Sequence, residues 1–132
     1  MATLLLVDDN SALRDLLEET LVRHGFRVIS ANGPSEAIEA MRRHEGAIDL
    51  AVVDVVLPQM RCDDCISELR SVRPDLKVLY MSGYPREVAA AHGGLRHDDP
   101  FIMKPFTPAA LIEAVKQALG QTEHSQAAGE GA

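Results

Sequence analysis

Leu50-Ala51-Val52-Val53-Asp54 is four apolar residues closed by an acid, and its reading decides the fold. The run is too short for a helix. It is apolar at every position rather than at alternate ones, which marks a strand covered on both faces, as in a parallel sheet between helices. Leu4-Leu5-Leu6-Val7, closed by Asp8-Asp9, repeats the pattern near the start of the chain. Three further apolar runs read as strands: Phe26-Arg27-Val28-Ile29, Leu76 to Met81, and Phe101-Ile102-Met103.

Between these runs the apolar period changes to that of a helix. Leu13, Leu16, Leu17 and Leu21 share one face, ended by Gly25. Pro34 opens a second helix with Ala37, Ile38 and Met41 inward and Gly46 beyond its end. Cys65, Ile66, Leu69 and Val72 give a third that stops before Pro74, and Arg86 to His92 a short fourth ended by Gly93-Gly94. Thr107 caps the fifth, Pro108 fills its first turn, and Leu111, Ile112, Val115 and Leu119 form its stripe. Strict β-α alternation predicts an α/β fold: one doubly wound parallel sheet, right-handed crossovers, helices on both faces. The segment 120–132, rich in Gly, Ala, Gln and Glu and without apolar period, reads as a disordered tail behind a domain spanning 1–119.

The chain has 132 residues, 46% of them apolar, with thirteen Lys and Arg against twenty Asp and Glu, for a net charge of −7. That suits one domain with a real core. An acidic balance without a basic block, and with 4% aromatics, argues against direct nucleic-acid binding. No run approaches the ~18 apolar residues of a membrane span. Two cysteines are too few for a disulfide scaffold, so a reducing cytoplasm is the expected compartment.

In such a sheet the ligand site lies beyond the carboxyl ends of the strands. Those ends carry Asp8 and Asp9, Asp54, Ser82 and Lys104, all brought to one edge. Crowded carboxylates repel one another, and oxygen-only ligands of this kind suit Mg²⁺, which takes one or two carboxylates and fills its sphere with water and phosphate. A cation, a Lys and a hydroxyl are what a phosphoryl group needs, and one acid can serve as its nucleophile. Asp54, at the end of a central, apolar strand, is the candidate acceptor.

These residues resemble the response-regulator receiver domains of two-component signalling. The likeness runs from Leu4 to about Leu119 through Leu-Val-Asp-Asp, Val-Val-Asp-Val-Val-Leu-Pro, Met-Ser-Gly-Tyr and Lys-Pro-Phe, in order and at the right spacing. Leu76 to Tyr84 and Met103 to Pro108 look most like receivers associated with hybrid sensor histidine kinases. The resemblance implies a flavodoxin-like (βα)5 three-layer fold with strand order 2-1-3-4-5. It implies that Asp54 accepts a phosphoryl group from a phosphohistidine on a histidine kinase or histidine phosphotransfer protein. Asp9 and Asp54 would ligate Mg²⁺ directly, Asp8 through water, and the Val56 backbone carbonyl would add a ligand. Lys104 would pair with a phosphoryl oxygen across a cis Lys104-Pro105 bond, and Ser82 and Phe101 would act as the switch. The face of the fourth helix, fifth strand and fifth helix would be the switchable target or dimer contact. Such a chain is a signalling phosphoacceptor, not an enzyme on other substrates.

Phe101 lacks the hydroxyl of the commoner Tyr, and the loop Gln59 to Cys65 lacks the usual Gly. Val56 and Tyr84, each two residues past a site residue, would flank an attacking water and slow hydrolysis. A Mg²⁺-dependent phosphohydrolase with an Asp nucleophile is an alternative, but Asn10 stands where its second Asp belongs and the chain is short for a substrate cap. A docking receiver that needs no phosphorylation is another, though it would be expected to lack Asp54 or Lys104. Cys62 and Cys65 form a C-x-x-C that reads as core, since no second pair completes a metal site. His24, His44, His92, His97 and His124 show no ligand spacing and read as solvated surface.

Overall fold

The computed structural model describes residues 1–120. Five units follow one another: β1 (Thr3–Val7), α1 (Ser11–Arg23), β2 (Arg27–Ala31), α2 (Pro34–Arg43), β3 (Leu50–Asp54), α3 (Cys62–Val72), β4 (Lys77–Ser82), α4 (Arg86–Gly93), β5 (Phe101–Met103) and α5 (Pro108–Leu119). All strand pairs are parallel, in the order β2-β1-β3-β4-β5. This is the doubly wound, flavodoxin-like architecture expected from the sequence. The tail assigned to 120–132 lies, beyond Gly120, outside the described residues.

Alternation along the strands splits the core into two layers. Leu4, Leu6, Leu50, Val52, Leu79 and Met81 face α1 and α5, meeting Leu17, Leu21, Leu111 and Val115. Leu5, Val7, Ala51, Val53, Val78 and Tyr80 face α2, α3 and α4, meeting Ala37, Met41, Cys65, Leu69 and Ala89. Every residue of β1 and β3 is buried, as their unbroken apolar runs require.

Sequence and structure differ at element ends. β2 begins after Phe26, not at it, and runs on to Ala31. Phe26 instead belongs to the close of α1: its N–H reaches Leu21 O at 3.1 Å and that of Gly25, at φ 91°, reaches Val22 O at 3.0 Å. This pair of bonds, with Phe26 and Leu21 packed in one cluster, satisfies carbonyls the helix leaves open. Leu16 is not inward but 58% exposed, because the half-buried Leu13 and the buried Leu17 and Leu21, four residues apart, already form the inward stripe. Val72, 37% exposed, ends α3 at the rim of a surface cleft instead of continuing its apolar face. Cys62 and Cys65 are both free and buried, as core readings demand. Gly93 lets α4 approach the loop after β3: a Cβ there would lie 2.9 Å from Val55 Cγ1.

Candidate functional site

The carboxyl ends of β1, β3 and β5 bring four of the expected residues together. Lys104, just past β5, donates from Nζ to Asp8 Oδ2 at 3.1 Å and to Asp54 Oδ2 at 2.7 Å. Asp9 completes an acidic triad in which one carboxylate oxygen from each of Asp8, Asp9 and Asp54 lies within 4.8 Å of the others. Asp8 is fully buried and Asp54 is 7% exposed, whereas Asp9 faces solvent. The backbone fixes both buried acids. Asn10 N–H donates to Asp8 Oδ1, and Val56 N–H donates to Asp54 Oδ1, each at 2.9 Å. The Lys104-Pro105 bond is cis, as expected from the resemblance.

Three carboxylates against one ammonium leave the pocket with excess negative charge. Burial pushes the Asp54 carboxyl above its ordinary value; the Lys104 ammonium and the Val56 N–H oppose this without cancelling it, and Asp8 adds to the rise. Burial works against the Lys104 ammonium too, but its hydrogen bonds and attraction to Asp54 and Asp8 outweigh that and hold its pKa up. All the side-chain ligands on offer are carboxylate oxygens, one of them open to solvent. That donor set fits a small hard dication which keeps several waters.

Ser82 and Phe101 do not join this cluster. Ser82 is fully buried, next to the site on β4, with its hydroxyl accepting from Tyr84 N–H at 3.0 Å. Phe101 pairs in the sheet with Tyr80, two rungs below the Ser82–Met103 pair, and its half-buried ring lies 5.1 Å beneath the Arg86 guanidinium. Val56 and Tyr84, 48% and 47% exposed, stand in the loops that follow β3 and β4. Two contributors escape the sequence reading. Asn10 orders Asp8 through its amide and caps α1 by accepting from Leu13 N–H, and Arg14 donates to Asp8 O at 2.7 Å and Asn32 Oδ1 at 3.0 Å. Asn10 carried a signal, standing one residue before a helix; Arg14 carried none. His92 is exposed but not idle, since its ring stacks on Tyr84 with centroids 5.6 Å apart.

The model of the response regulator receiver domain matches residues 4–116. The chain belongs to that family. Among curated relatives, this receiver domain is 36% identical over 118 residues to the sensor kinase CckA of Brucella abortus, covering 89% of the chain and 12% of the kinase. It spans about a quarter of several transcriptional regulators that it also matches. Among solved structures, the receiver domain of the hybrid histidine kinase CckA superposes with a TM-score of 0.75 at 27% identity, covering 89% of this chain and 99% of that one. The response regulator TrrA of Thermotoga maritima, in complex with Mg²⁺-BeF, gives 0.72 at 26% identity, covering 89% and 99%. This receiver domain is therefore a two-component signalling module. None of its described helices is long and apolar enough to cross a membrane.

Proposed function

We propose that this receiver domain accepts a phosphoryl group on Asp54 from a phosphohistidine of a histidine kinase or histidine phosphotransfer protein. The observation that carries the reading is the Lys104 ammonium held between two buried carboxylates, at 2.7 and 3.1 Å, beside a third. An Asp54 carboxylate oxygen forms the new P–O bond as the P–N bond of the donor breaks, giving an acyl phosphate and a free imidazole. Asp8, Asp9 and Asp54, with the Val56 carbonyl, would hold Mg²⁺, which when bound supplies positive charge to the phosphoryl oxygens. Lys104, released from Asp54 once that oxygen is esterified, pairs with a phosphoryl oxygen. Ser82 turns its hydroxyl from the Tyr84 amide toward the phosphoryl group, and Phe101 follows it inward.

The contact surface so altered is the face of α4, β5 and α5, for a target or a second copy. Val56 and Tyr84 close the path of a hydrolytic water and lengthen the life of the acyl phosphate. The module occupies residues 1–119 and works in the cytoplasm, alone, in a relay or within a hybrid kinase; it catalyses only its own phosphorylation and dephosphorylation.

The test is incubation with acetyl phosphate and Mg²⁺, read by intact mass. A gain of about 80 Da, one phosphoryl group, is expected for the wild type, and none in EDTA or in Asp54→Ala. Equal gain in Asp54→Ala would overturn the assignment.

A further inference from the structure

A polar cleft of about 600 Å³ lies between α3 and α4, lined by none of the acidic triad. Tyr80 forms part of its wall. The residue is only 6% exposed, and its hydroxyl, which bonds to no protein group among the described residues, opens on the cleft. Burial pushes the phenol up to about 12, so at neutral pH it keeps its proton and can donate into the cleft.

Arg70 and Arg96 line the same cleft. Arg70 donates from Nε and Nη2 to Leu76 O at 3.2 and 3.1 Å, which fixes its plane and leaves Nη1 for another acceptor. The Arg96 main chain is pinned from both sides: its N–H donates to Asp99 Oδ2 at 2.6 Å, and its carbonyl accepts from Arg86 Nη1 at 3.2 Å. Neither Arg70 nor Arg96 forms an ion pair among the described residues. The acids of the cleft are already engaged, Asp63 by the Arg61 fork at 3.0 and 3.3 Å and Asp99 by the Arg96 amide.

We propose that the α3–α4 cleft binds a phosphate-type oxyanion, with the Tyr80 hydroxyl, Arg70 and Arg96 as its donors. Donors without protein acceptors at one place suit an oxyanion, and planar guanidinium forks match phosphate oxygens. The volume exceeds what a lone tetrahedral ion fills, so the cleft also has room for the organic part of a phosphate monoester. The site is independent of the phosphoacceptor pocket, whose three carboxylates repel anions when no metal is present. It is not remote from the switch: Tyr80 is the sheet neighbour of Phe101, and Arg86, which lies over Phe101, is bonded to the Arg96 carbonyl.

The experiment is a titration of ¹⁵N-labelled protein in EDTA with inorganic phosphate and, separately, with phenyl phosphate, following amide shifts. Saturable shifts centred on Tyr80, Gly94 and Arg96 are expected, with binding at least about tenfold weaker in Arg96→Gln and in Tyr80→Phe. Arg96 is exposed, so Arg96→Gln keeps the fold even should Tyr80→Phe perturb it. Saturation by phenyl phosphate alone assigns the site to an organic monoester, and equal saturation by both assigns it to the free ion. No saturable shift with either, shifts centred on Asp8 and Asp54, or unchanged affinity in Arg96→Gln would overturn the proposal.

Discussion

Asp54 is held in a place that a carboxylate does not favour. Burial and the Asp8 charge raise its pKa, and the Lys104 bond only partly answers them. A residue kept against its own solvation contributes to function at a cost to stability. Asp54→Asn is therefore expected to raise stability in metal-free buffer by roughly 1 kcal/mol, read as a higher urea midpoint. A lower midpoint would mean that the Lys104 pair stabilises the fold outright. At this scale the site was legible wherever a polar residue ends an apolar strand, since a strand's last residue is aimed by the whole sheet. Asp8, Asp54 and Lys104 were found for that reason. Arg14 was not, because its bond to the Asp8 carbonyl depends on how α1 turns over the loop, and no local pattern carries that angle.

The helices were legible in their apolar stripes and less so at their edges. Leu17 and Leu16 are adjacent in sequence, but one is 4% exposed and the other 58%. Leu17→Ala is expected to cost about 2–5 kcal/mol by leaving a cavity, and Leu16→Ala within ~0.5 kcal/mol, both measured by denaturant unfolding. Comparable losses would restore the broader face that periodicity alone predicts. In α3, the C-x-x-C resembles a redox motif in spacing only. Burial pushes Cys62 up to about 12 and Cys65 up to about 11, and Tyr80 in β4 also lies near 12. Unfolded thiols ionise near ~8.5, so above that pH the folded state retains protons that the unfolded state has lost. Stability contributed by these groups is full below that value and declines as pH climbs toward 12. The urea midpoint should fall steadily from pH 8.5 to 11, and both thiols should resist alkylation at pH 8 until the chain unfolds. A flat midpoint with rapid alkylation would return the pair to redox chemistry.

As a whole, residues 1–120 form a two-layered core with an electrostatically incomplete rim. Fold class and the converging site were open to reading because β-α alternation leaves few chain paths, and the strand order followed from the family resemblance, whereas the break between β2 and the end of α1 rests on Phe26 and Gly25 acting together. A dication that fills the acidic triad binds only the folded chain, so Mg²⁺ at about one hundred times its dissociation constant should add about 2.7 kcal/mol of stability. Asp8→Asn should lose most of that gain in a thermal-shift titration, while a full gain would place the ion elsewhere. The most direct measurement is to phosphorylate the protein with acetyl phosphate and Mg²⁺, reduce the acyl phosphate with borohydride, and sequence the peptides by tandem mass spectrometry. Homoserine at position 54 and at no other is the predicted outcome; homoserine at position 8 or 9, or its absence from a protein that has gained the phosphoryl mass, would contradict it.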